Sequence, residues 1–201
     1  MVQAASQYTD NPAQPKKISW SEFQNRYLTR EDKYKYEWLN GIVEKTERAM
    51  NYTQLFILVN ILNFFEELKI AGKVKGWLVS EPDSFFLENH RRPDIAYFTE
   101  AQIARMAHDE NQVPQFVIEV ISKNDKINKT QRKVQDYQRA GVQVIWQLLP
   151  ELEQVNVYHG RNMTICKKED ICSAAPVLPD FAIAVSTIFQ KPALPQSDEK
   201  E

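Results

Sequence analysis

Hydrophobic and polar positions fall into several distinct rhythms along this chain, and each rhythm predicts an element. Ser19-Trp20-Ser21-Glu22 has the spacing of a capping box and predicts a short helix. Tyr36 to Glu44 sets aromatic and branched residues on both sides of Asn40-Gly41, the dipeptide best suited to a two-residue turn, and predicts a hairpin with acids on both strands. From about Tyr52 to Ile70 the chain is apolar almost all round, which predicts a buried helix with surplus apolar surface for a subunit interface. Asn60, Asn63 and Glu66-Glu67 interrupt it short of a membrane-spanning length.

Short strands are predicted around Val74 to Ser80, Phe85 to Leu87 and Ile95 to Phe98, then a small helix near Ala101 to His108 and a strand at Val117 to Ile121. A longer helix follows from about Lys126 to Arg139, with Ile127, Val134, Tyr137 and Ala140 on its inner side and Gly141 at its end. Val142 to Leu149 reads as a further buried strand stopped by Pro150, and Val155 to Tyr158 with Met163 to Cys166 as a closing hairpin. This order predicts a mixed α/β domain, a central sheet with helices on its faces, over residues 18–190. The polar, Pro-containing ends, 1–17 and 191–201, read as mobile tails.

Composition narrows the class without naming a partner. A chain of 201 residues with 43% hydrophobic and 26% charged residues is that of one ordinary soluble domain. A formal charge of −2 gives no global attraction to nucleic acid or anionic membrane, so any basic surface must be local. No N-terminal stretch has the form of a secretory signal, which predicts a cytoplasmic protein with no membrane partner. Cys166 and Cys172 read as a reduced pair, because no second ligand pair with zinc-site spacing accompanies them.

One residue breaks the apolar rhythm where the break is costly. Glu119 sits within Val117-Ile118-Glu119-Val120-Ile121, where burial makes a carboxylate expensive unless a cation, a proton or a metal accompanies it. Asp94 follows Pro93 and opens the run Ile95 to Phe98, so two neighbouring strands would bring both acids to one cleft able to share a divalent cation. The plainer alternative is an ion pair of Glu119 with Arg91 or Arg92. Strand alternation puts Val117, Glu119, Ile121 and Lys123 on one face. Glu37 offers a third acid near the same sheet. The segment after Glu119 carries Lys123, Lys126, Lys129, Arg132, Lys133 and Arg139 against Asp125 and Asp136, a basic stretch suited to a phosphodiester backbone. His90, His108 and His159 stand in polar, loop-like contexts and read as surface residues, and no Ser/His/Asp or Cys/His arrangement points to metal-independent hydrolysis.

Taken together, Tyr36-Glu37-Trp38-Leu39-Asn40-Gly41, Arg92-Pro93-Asp94-Ile95-Ala96, Val117 to Ser122, Lys133 followed by Tyr137, Gly141-Val142, Trp146 and Leu178-Pro179-Asp180-Phe181 resemble the Uma-two group of restriction-endonuclease-like proteins, a branch of the PD-(D/E)XK nuclease superfamily. The likeness runs from about Ser19 to Phe189. It implies a restriction-endonuclease-like core with an N-terminal hairpin, in which Asp94 and Glu119 bind Mg²⁺ or Mn²⁺. The superfamily's Glu-x-Lys pattern would put a lysine at position 121, where this chain has Ile121. The resemblance implies a migrated lysine, Lys133, from the following helix, and a further acid at Glu37. The chain also departs from many members in having Asn51-Tyr52-Thr53-Gln54 where they carry a His, and Leu149 where they carry an Asp.

The function so implied is metal-dependent hydrolysis of DNA by a homodimer, with Asp94, Glu119 and Lys133 catalytic and Lys123, Lys126, Lys129 and Arg132 on the nucleic acid. The competing reading keeps the same sheet and basic helix as a catalytically silent nucleic-acid-binding or protein-interaction module.

Overall fold

The computed structural model describes residues 15–47, 52–86, 88–123 and 125–194. Most of both expected tails, residues 1–14 and 195–201, lies outside the described residues, as do Leu87 and Asn51. The capping box opens α1 (Trp20–Phe23): Ser19 Oγ accepts from the Glu22 amide at 3.1 Å, and a wider π-type turn over Gln24–Leu28 continues the helix. The hairpin forms as β1 (Tyr34–Leu39) and β2 (Ile42–Glu47). Asn40 and Gly41 take φ of 49° and 90°, the paired left-handed conformations that match the twist of the two strands.

Beyond α2 (Tyr52–Ile70) the chain lays down β3 (Trp77–Ser80), β4 (Ser84–Phe86), β5 (Asn89–Arg91) and β6 (Ile95–Phe98). Then come α3 (Glu100–Met106), β7 (Phe116–Val120), α4 (Ile127–Ala140) and β8 (Val144–Leu149). The chain closes with β9 (Gln154–His159), β10 (Asn162–Lys167), β11 (Ile171–Ala174), β12 (Leu178–Ala184) and α5 (Val185–Ile188).

Three sheets result. The central one has six strands in the order β10-β9-β8-β7-β6-β3, with β7 and β8 parallel and the other neighbours antiparallel. The parallel pair is joined through α4, as a parallel connection requires. The hairpin does not join this sheet. It forms a four-stranded sheet β2-β1-β5-β4, and β11-β12 is a separate pair. Every residue of β7 is buried, because both faces of the central sheet are covered. On one face Ile118, Val120, Trp146 and Phe181 share a core with Ile57, Ile61 and Phe65 of α2; on the other Ala96, Val117 and Ile145 pack with Val134 and Tyr137 of α4.

Three expectations need correction. The segment Tyr52 to Ile70 is not buried all round: a helix on one sheet face can bury one stripe, and Tyr52, Leu55 and Val59 remain 92%, 49% and 44% exposed. Ile127 lies outside the inner stripe of α4, which starts a turn later at Thr130 and continues through Val134 and Tyr137. His90 is buried rather than superficial, packed beside Phe23 and Phe85 and bonded through Nε2 to Asp83 at 2.8 Å. Among the described residues no helix is long and apolar enough to cross a membrane.

Candidate active site

Strand pairing sets the two acids side by side. Ile95 pairs with Ile118 and Ala96 with Val117, so one further step of the same register brings Asp94 level with Glu119 at the end of the β6–β7 ladder. Parity then turns both side chains to the α4 face, the face that also receives Ala96, Phe98 and Val117. Asp94 Oδ2 accepts from the amide of Val120 at 2.7 Å, and its Oδ1 faces the ammonium of Lys35 at 3.0 Å. The carboxylate of Glu119 is met by two residues one helical turn apart on α4. Lys133 Nζ reaches Oε2 at 2.9 Å and the Tyr137 hydroxyl donates to Oε1 at 2.6 Å.

The hairpin sheet supplies the rest. Glu37 on β1 takes the amide of Arg92 and the guanidinium of Arg91, each at 2.9 Å, and its Oε1 lies 3.6 Å from Lys133 Nζ. Arg91, 1% exposed, turns its other edge to Asp136 of α4 at 2.5 Å and lies 3.9 Å from Glu44. Lys133 therefore stands between Glu119 of the central sheet and Glu37 of the hairpin sheet. An Arg91–Asp136 pair ties β5 of the hairpin sheet to the same helix that carries Lys133. The alternative partner for Glu119 is thus corrected: Arg91 serves Glu37 and Asp136, Arg92 pairs with Asp83, and Lys133 serves Glu119.

These placements shift the acids in opposite directions. Burial raises Glu119, and the neighbouring charges of Asp94 and Glu37 add to it beyond what Lys133 and Lys35 take back, so its carboxyl sits above the usual carboxylate range. Burial also works to raise Asp94, but Lys35, Lys133 and the Val120 amide outweigh it and hold Asp94 below its ordinary value. For Glu37 burial is again overcome, by Lys133, Arg91, Lys35 and the Arg92 amide, and the carboxyl is held at about 2. Lys133 is raised despite burial, because Glu119, Glu37 and Asp94 all face it. Asp94, Glu119 and Glu37 are met by Lys35, Lys133 and Arg91, and Glu119 is the one of the three acids whose carboxyl is raised.

Among the described residues no three or more His, Cys, Asp or Glu side chains form a ready-made metal cage. The donor set instead fits an ion that keeps most of its own water. Two hard carboxylate oxygens on adjoining strands, with no thiolate or imidazole beside them, suit Mg²⁺ or Mn²⁺ held by one or two carboxylates plus phosphate oxygens.

The basic residues divide. Lys123, Lys126, Lys129 and Arg132 are all exposed on or just before α4, and Lys129 pairs with Glu44 at 3.2 Å. Arg132 and Arg139 line an open groove of about 640 Å³ with Asn40, Glu44 and Asp136, so this groove adjoins the buried cluster through the acids that flank Arg91. Sequence reasoning missed Lys35, named Arg91 only as a partner for Glu119 and counted Asp136 only among the charges of the helix after it. The available signal was parity: Lys35, Glu37 and Leu39 share one face of β1, and an alternation of charged with apolar residues on a buried face is as costly there as at Glu119.

The comparisons with known proteins bear on this arrangement. The family model described as Uma2, putative restriction endonuclease, matches residues 20–186. A putative nuclease of the DUF820 group from Anabaena variabilis, seen in a crystal structure, superposes with a TM-score of 0.71 at 17% identity, covering 86% of this chain and 97% of that one. At that identity the likeness is one of fold. No curated protein matches the sequence.

Proposed function

We propose that this chain, which belongs to the Uma2 family of putative restriction endonucleases, is a phosphodiesterase that cuts DNA with the help of a divalent cation. The observation that carries the reading is the side-by-side placement of the buried Glu119 and the half-buried Asp94, with Lys133 on Glu119 and Lys35 on Asp94. Burial and the neighbouring acids disfavour the charged form of Glu119, and a cation shared with Asp94 would stabilise that charge. Asp94 and Glu119 would hold Mg²⁺ or Mn²⁺. Bound there, the ion would act as Lewis acid toward a phosphate oxygen and lower the pKa of a water.

The chain's own groups supply position and charge. Lys133, fixed between Glu119 and Glu37, presents an ammonium at the cluster, where it orients a water or stabilises charge developing on phosphate. Glu37 acts as an auxiliary acid by keeping Lys133 in place, and Arg91 keeps Glu37 in place. Lys123, Lys126, Lys129 and Arg132 form the exposed cationic edge that attracts the backbone.

The direct test is cleavage of plasmid and single-stranded DNA in Mg²⁺ or Mn²⁺, with Glu119→Gln as control. Cation-dependent cleavage lost in the variant supports the reading. Salt-sensitive DNA binding without cleavage and without any cation effect would instead make the chain a silent binding module.

A further inference from the structure

Lys35 is a second lysine of the cluster, and its position raises a question that the roles of Asp94, Glu119 and Lys133 leave open. Asp94 spends Oδ2 on the amide of Val120, which leaves Oδ1 as the oxygen turned toward the cluster, and Lys35 Nζ already sits on it at 3.0 Å. An ammonium and a divalent cation on one carboxylate oxygen repel in this partly buried setting. Lys133 meets the like conflict at Glu119 Oε2 and has Glu37, 3.6 Å away, as its second acid.

A second acid stands where Lys35 would have to go. Glu81 Oε1 lies 3.7 Å from Lys35 Nζ, and the Glu81 side chain is more open to solvent than that of Lys35, at 33% against 9% exposed. Glu81 reaches this place through a left-handed backbone, φ 48°, which an unbranched acidic residue seldom adopts. Its amide donates to the carbonyl of Asp94 at 3.1 Å, so the backbone of Asp94 itself fixes the residue that meets Lys35. The ammonium is thus already shared, held closely by Asp94 at 3.0 Å and within ion-pair distance of Glu81 at 3.7 Å.

We infer that Lys35 is a tethered counter-ion that occupies the cation's place on Asp94 and passes to Glu81 when a divalent cation is bound. The inference rests on the metal-centre reading above. In the cation-free protein Lys35 keeps the charge of Asp94 compensated, so the strand ends stay together. In the loaded protein the ammonium leaves Oδ1 and is retained by Glu81, close enough to serve as a further positive group for phosphate.

Calorimetric titration of Mn²⁺ onto the full chain tests this without any assay of cleavage. Lys35→Met should bind at least about tenfold tighter than wild type. It should also melt lower in EDTA and recover on addition of Mn²⁺, because the ion then compensates Asp94. Glu81→Gln, a change at a partly exposed position, should bind about tenfold weaker, and that penalty should largely vanish in the double variant, where no ammonium needs a new partner. Equal or weaker binding by Lys35→Met, or a Glu81→Gln penalty that persists in full without Lys35, overturns the inference. If wild type binds Mn²⁺ and Glu119→Gln blocks it, those failures leave the metal centre standing. Should neither wild type nor Lys35→Met bind, or should Glu119→Gln bind undiminished, the metal centre fails and the role of Lys35 fails with it.

Discussion

The Tyr137 hydroxyl donates to Oε1 of Glu119 at 2.6 Å, leaving Oε2 for Lys133 one turn back along α4. Both oxygens of the strand carboxylate are thereby oriented by one helix, and that helix connects β7 to β8. Orientation of a ligating carboxylate by an outer hydrogen bond has a measurable consequence. Tyr137→Phe keeps the buried ring against Phe86 and removes only the hydroxyl. We expect Mn²⁺ affinity to fall about 10- to 100-fold, with stability lowered by about 1 kcal/mol. Unchanged affinity in calorimetry would mean that Glu119 is held well enough by Lys133 alone.

The two proposed metal acids should differ when neutralised. Burial and neighbouring acids raise Glu119, so its ionised form opposes folding at neutral pH, and that penalty is relieved as pH falls through its folded pKa. Asp94 is lowered, so its charge favours folding above its unfolded pKa of about 3.9, a contribution lost as pH falls through the folded value. Both Glu119→Gln and Asp94→Asn should abolish metal-dependent cleavage. In thermal melts at neutral pH without metal, Glu119→Gln should hold or gain stability while Asp94→Asn loses it. An equal loss in both would show that the charge of Glu119 does not oppose folding.

Glu37 gives the cluster an acid limit. Its carboxyl is held at about 2 by cations that overcome burial, against an ordinary value of 4.5, so the stabilisation it brings is present above pH 4.5 and lost between there and about 2. The shift corresponds to about 3 kcal/mol. Denaturant unfolding followed from pH 7 to 2 should show that loss in wild type. In Glu37→Gln the protein should be less stable at pH 7 and flatter in this window.

Much of this site was legible because its acids interrupt strong patterns. Glu119 stands out within β7, and Asn40-Gly41 announces the hairpin that carries Glu37. The Lys133–Tyr137 spacing places both on one face of α4. Other parts are silent for physical reasons. The β5 strand reads Asn89-His90-Arg91, with no apolar alternation to reveal it, because its buried side chains pair with Asp83, Glu37 and Asp136 rather than being held by packing alone. Such partners are distant in sequence. The last strands, β11 and β12, pair with each other across a register shift near Ala174. Their alternation is correspondingly broken, although Phe181 stacks on Trp146 at 5.6 Å in the central core.

The outer stripe of α2 motivates a prediction of assembly. Tyr52, Leu55 and Val59 recur at helical spacing on the exposed side of a helix whose opposite stripe is in the core. A second copy offers the same stripe, and an isologous pairing about a two-fold axis would cover both. Light scattering at roughly tens of micromolar, where weak dimers persist, should give a homodimer, and Leu55→Glu with Val59→Lys should give a folded monomer. A monomeric wild type would leave the stripe without this role.

The last prediction ranks the lysines. Lys123 shares the parity of Glu119 in the sequence, four residues along, roughly 13 Å if the strand continued. It does not continue: β7 ends at Val120, and Lys123 is exposed in the connection to α4. Lys133 reaches the cluster instead, its stem covered beside Val134 and its ammonium within ion-pair distance of Glu119 and Glu37. Single-turnover cleavage should fall by orders of magnitude in Lys133→Ala while Mn²⁺ binding is retained, since the lysine is not a ligand. Lys123→Ala should lower cleavage only modestly, and through DNA affinity, with a shallower dependence on salt. The reverse ranking would place the working ammonium at the end of β7, outside the buried cluster, and would leave Lys133 as a structural cation that holds the hairpin sheet to the central one.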